Sequence, residues 1–74
     1  MQIPMQILVF KTDLSDHSHI SKIEPFLDMH PGVSKWNVDL KDCDNILRIE
    51  ATSLKGNEIE KILGNAGFFC EELM

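Results

Sequence analysis

Val33-Ser34-Lys35-Trp36-Asn37-Val38-Asp39-Leu40-Lys41-Asp42-Cys43-Asp44-Asn45-Ile46-Leu47-Arg48-Ile49-Glu50-Ala51 holds two strands and the turn between them, and the rest of the chain is arranged around this hairpin. Over residues 33–40 apolar and polar side chains alternate, so Trp36, Val38 and Leu40 share one face of a strand. Residues 41–45 form a polar turn of hairpin type, and residues 46–51 return as a second strand.

Upstream of the hairpin the period changes. Residues 6–12 are β-branched and aromatic enough for a strand, with Leu8 and Phe10 on one face. Beyond it, Ser15 or Asp16 can accept from the free N–H groups of a helix whose apolar positions are Ile20, Ile23, Phe26 and Leu27. Pro25 removes one bond of that helix and should bend it. The helix is expected to survive because its apolar stripe is anchored on both sides of the proline, until Pro31-Gly32 stops it.

Downstream, Asn57 and Glu60 have the spacing of a capping box for a second helix with Ile59, Ile62, Leu63 and Ala66 on one side. Gly67 falls at C′, and residues 68–71 supply a short last strand. The predicted fold class is α+β, a ferredoxin-like βαββαβ sandwich: a four-stranded antiparallel sheet with two helices on one face. Right-handed crossovers then bring the first loop, the hairpin turn and the loop before the last strand to one end. Asp16, His17, His19 and Cys43 belong to that end, and His30 to the other.

Seventy-four residues make a single domain, assigned to residues 5–74. Two short layers seldom enclose a water-excluding cleft, no Ser or Cys nucleophile stands at a recognisable spacing from a base, and there is no glycine-rich phosphate loop. Binding is therefore expected, not catalysis. Twelve Asp and Glu against seven Lys and Arg give a net charge of −5, which excludes a phosphate-backbone partner, so no nucleic acid is expected. No apolar run approaches the ~20 residues of a membrane span. The N-terminal residues lack a signal peptide's basic and apolar blocks, so the expected address is cytoplasmic, with Cys43 and Cys70 as reduced thiols.

Leu14-Ser15, Gly32-Val33, Val38-Asp39-Leu40 and Gly67-Phe68, in this order and spacing, resemble the heavy-metal-associated domain family of copper chaperones and metal-transporting ATPase modules. The resemblance runs from Met5 to Leu73. It implies the same fold and a first loop that carries the metal on a Cys-x-x-Cys pair, with Asp16 at the first cysteine position and His19 at the second. It also implies a first strand one residue longer than usual, accommodated by a bulge, and a hairpin strand at the sheet edge that could expose Trp36 as a contact surface.

Both loop thiolates are missing here, and imidazole and carboxylate suit divalent Zn, Ni or Cu(II) rather than Cu(I). Two thiolates and Cu(I) carry a net −1 beside the positive end of a helix, whereas one carboxylate, two neutral imidazoles and a divalent ion carry +1. The dipole then opposes binding by roughly 0.3–1 kcal/mol. The expected metal residues are Asp16, His17, His19 and, from the turn, Cys43, in a degenerate site that holds Cu(I) poorly and a divalent ion weakly at best. The competing expectation is an interaction module without metal, in which Ser15 and Asp16 only cap the helix and the chain, a monomer or weak homodimer, binds another protein. Cys70 is expected to be a small buried hydrophobe.

Overall fold

The computed structural model describes residues 5–73; residues 1–4, which include the stretch read for a signal peptide, and Met74, the last residue of the assigned domain, lie outside it. The elements are β1 (Gln6–Thr12), α1 (His17–Asp28), β2 (Val33–Asp39), β3 (Ile46–Ala51), α2 (Gly56–Asn65) and β4 (Cys70–Leu73). One antiparallel sheet has the order β2-β3-β1-β4, so β1 is paired on both sides and β2 and β4 are edges. This is the predicted βαββαβ sandwich. No helix among the described residues is long and apolar enough to cross a membrane.

The core lies between the sheet and the helices. Phe10 from β1, Leu47 and Ile49 from β3, Ile23 and Leu27 from α1, and Ile59 and Leu63 from α2 are fully buried. Pro25 sits inside α1 between Ile23 and Leu27, and the helix continues through it. Both flanking residues bury their side chains, which supplies the anchoring on each side that the missing backbone bond requires.

Phe26 corrects the predicted stripe, because it is 57% exposed. At ~100° per residue it stands about 100° round the helix from Leu27, off the line joining Ile20, Ile23 and Leu27. Trp36 is half-buried and packed against the core, and its Nε1–H donates to Asp28 Oδ1 at 2.8 Å. That bond ties the last turn of α1 to the edge strand. It also offsets the cost of a carboxylate at the negative end of a helix.

Two boundaries and the place of the sheet irregularity differ from the predicted ones. The N-cap of α2 is Lys55, not Asn57: the Lys55 N–H donates to Glu58 Oε2 at 2.9 Å, so Glu58, not Glu60, closes the turn. Gly56 then opens the helix in a buried position, where a Cβ would run into the Glu72 carboxylate. The last strand starts at Cys70, two residues later than predicted. The Phe68 N–H is spent on Leu63 O at 2.9 Å and the Gly67 N–H on Gly64 O at 3.0 Å, a Schellman motif with Gly67 at φ 93. The irregularity of the sheet lies in β2, between Val33 and Lys35, and the pairing of β1 runs without a shift.

Candidate metal centre

Thr12, at the end of β1, organises this end of the molecule. Its hydroxyl donates to Asn45 O at 2.6 Å and accepts from the Leu14 N–H at 3.2 Å, and its own N–H donates to Asp44 O at 3.1 Å. Leu14 is fully buried. The loop before α1 is thus pinned to the β2–β3 turn by a buried hydroxyl and to the core by a leucine, and the two segments lie side by side at one end, as the topology predicted.

The loop residues turn inward on the helix. Asp16 has extended backbone, φ −155 and ψ 176, and its Oδ1 accepts from the His19 N–H at 3.1 Å and from the Ser18 hydroxyl at 2.6 Å. The Ser18 hydroxyl, followed by the His19 N–H, holds the Asp16 carboxyl below its ordinary value. Asp16 is therefore the N-cap.

The half-buried His19 ring lies tilted on Phe68, centroids 5.0 Å apart, and its Nδ1 accepts from the Ser15 N–H at 3.1 Å, with the Ser15 hydroxyl also at 3.1 Å. A nitrogen that accepts from an amide carries no proton, so neutral His19 has its hydrogen on Nε2. One ring nitrogen is then occupied by a hydrogen bond and the other by a proton. To ligate, His19 must release Ser15, which costs roughly 0.5–1.5 kcal/mol.

The exposed His17 begins α1, and its carbonyl accepts from the Ser21 hydroxyl at 3.0 Å. His30 lies at the far end of α1, where its Nδ1 accepts from the Gly32 N–H at 3.0 Å. Cys43 is exposed in the turn, and it gathers with its own neighbours. Asp42, Cys43 and Asp44 have ligand atoms within 4.8 Å of one another, and among the described residues this is the sole group of three or more such side chains. Asp16, His17 and His19 do not join it. The contiguous Asp42-Cys43-Asp44 run signals this group in the sequence; the contact of His19 with Phe68, 49 positions away, has no local signal.

Cys70 is half-buried and free, with its thiol pushed up to about 12 by burial first, then by Glu60, Asp13 and Glu72. It is a protonated packing residue, not a nucleophile.

No family model and no curated protein matches the chain. Solved structures do. The apo heavy-metal-associated domain of a copper chaperone for superoxide dismutase superposes with a TM-score of 0.78 at 20% identity, covering 100% of this chain and 72% of that one. The copper(I)-loaded first domain of the human copper chaperone for SOD1 gives 0.76 at 20%, covering 93% of each chain. The yeast copper transporter domain Ccc2a, studied apo and Cu(I)-loaded, gives 0.78 at 20%, covering 92% of this chain and 94% of that one. The chain has the fold of a heavy-metal-associated domain.

Proposed function

We propose that this chain is a non-catalytic, metallochaperone-like module with a degenerate metal site, working in a reducing, cytoplasmic setting. Asp16 and His19 stand in place of a cysteine pair, so Cu(I) finds no pair of soft donors on the loop. The observation that carries this reading is the Ser15 N–H on His19 Nδ1, together with the double use of Asp16 Oδ1: one atom of each loop ligand is committed to starting α1. A divalent ion (Zn, Ni or Cu(II)) taken up through Asp16, His17, His19 and Cys43 must displace the Ser15 bond from His19 and is held weakly. The same commitment favours the second reading, a protein-binding module that uses the scaffold without metal.

The test is competition for Cu(I) against a chromogenic cuprous chelator under reductant, followed by zinc, nickel and Cu(II) titration of apo protein by calorimetry. Copper is expected to stay with the chelator, and any divalent heat to fall in His19→Ala and Cys43→Ser. Removal of one Cu(I) per chain from the chelator at sub-picomolar free copper overturns the degenerate-site reading. A flat divalent titration selects the interaction module.

A further inference from the structure

The face of the sheet turned away from the helices has a different composition from the rest of the molecule. Alternation places Ile7, Val9 and Lys11 of β1, Ile46, Arg48 and Glu50 of β3, Lys35, Asn37 and Asp39 of β2, and Glu71 and Leu73 of β4 on it. Three cations and three anions cancel, so the net charge of −5 resides off this face, on the helices, the loops and Glu72 of β4. Met5, Ile7 and Leu73 of this side are 52%, 55% and 39% exposed, half of the exposed large hydrophobics among the described residues. Arg48 and Glu50 stay outside any intramolecular ion pair, since the single pair among the described residues is Lys11 with Asp44 at 3.7 Å.

We infer that this face is a self-association surface on which a second copy packs sheet against sheet. The net negative charge lies off this face, so copies meeting through the helices and loops repel, whereas this face is neutral and sets Ile7 and Val9 beside Glu50 and Arg48. The register shows how the face complements itself. Glu50 lies opposite Ile7, and Arg48 opposite Val9, in successive rows across β3 and β1. A two-fold axis crossing the strands between these rows sets each Glu50 over the other copy's Arg48 and each Ile7 over the other copy's Val9. Two reciprocal ion pairs then flank an apolar strip, an isologous contact between sheets ~10 Å apart.

The area sets the strength. Three strands of six or seven residues and one of four, spaced ~4.8 Å apart, present a footprint of roughly 400 Å², against about 800 Å² per partner in a standard stable interface. The association is therefore reversible and fills at high protein concentration.

This inference is independent of the metal reading, because its test is run on apo protein with chelator and reductant present, which removes metal bridges and Cys43 disulfides. Sedimentation equilibrium over a concentration series into the millimolar range should show the mass rising from 8.4 kDa toward twice that value. Arg48→Glu and Glu50→Arg should each weaken self-association about tenfold, and mixing the two variants should restore it, because a doubly acidic face then meets a doubly basic one. Amide shifts on dilution of the wild-type chain should map to residues 7, 9, 48 and 50. A constant monomer mass, association unaltered by either reversal, a mixture no stronger than its components, or dilution shifts on α1 and α2 instead of the sheet would each overturn it. Binding of a different protein to this face, with the chain itself remaining monomeric, would also do so.

Discussion

The β1–α1 loop and the β2–β3 turn lie side by side at one end of the molecule, and both are rich in side chains that can ligate metals. They differ in how those side chains are gathered. In the loop, Asp16 and His19 accept from N–H and O–H groups of the helix start. In the turn, Asp42, Cys43 and Asp44 cluster their ligand atoms, with only Asp42 Oδ1 and Asp44 Oδ1 engaged, the first by the Asp44 N–H at 2.8 Å and the second by Lys11. Residue type is thus a poor guide to ligand capacity. What counts is the lone pairs left over once the backbone has been satisfied.

The sharpest way to break this comparison is to truncate one side chain in each segment. Leu14→Ala should cost about 2–5 kcal/mol, as for any fully buried leucine, whereas Cys43→Ala in the exposed turn should stay within about 0.5 kcal/mol. Urea denaturation of both variants checks this, and equal losses would mean that the loop is no more embedded than the turn. Thr12→Val comes next. It strips the hydroxyl joining the two segments and leaves the Leu14 N–H and the Asn45 carbonyl without that partner, for an expected loss of about 1–3 kcal/mol by the same measurement.

The smallest effect is a pH dependence. Asp16 in the folded chain has a lowered carboxyl pKa, so the unfolded chain binds that proton more tightly. The resulting stability is present above the ordinary carboxylate range and is lost as pH falls through it toward the folded value. Asp16→Asn keeps an equally good cap and removes the titration. Its stability should match the wild type near neutrality and fall less steeply below about pH 4, as followed by denaturation at a series of pH values.

Where the sequence was legible, a local period or a local cap determined the outcome. The three longer strands, the apolar stripe of α2, an N-cap at Ser15 or Asp16 and Gly67 at C′ all follow from neighbours within a few positions. Phe26 was misread because four apolar residues at helical spacing span more of the circumference than two buried ones need. The start of β4 was misread for a different reason. Phe68 and Phe69 are strand formers by type, yet the Phe68 N–H closes α2 and the Phe69 N–H donates to Asp13 Oδ1 at 2.8 Å, leaving neither for the ladder. In the site, the end-to-end placement of loop and turn followed from topology. The engagement of His19 by Ser15 and Phe68 depends on ring orientation, which no spacing rule reports.

The double pairing of β1 has a consequence for how the molecule is made. Of the four strands, the earliest in the chain is the one that needs β3 on one flank and β4, the latest of them, on the other. Until β4 emerges it waits with one unpaired flank open to other nascent chains. The clasp from Asp13 to Phe69, joining residues 56 apart, closes only after β4's leading loop has emerged.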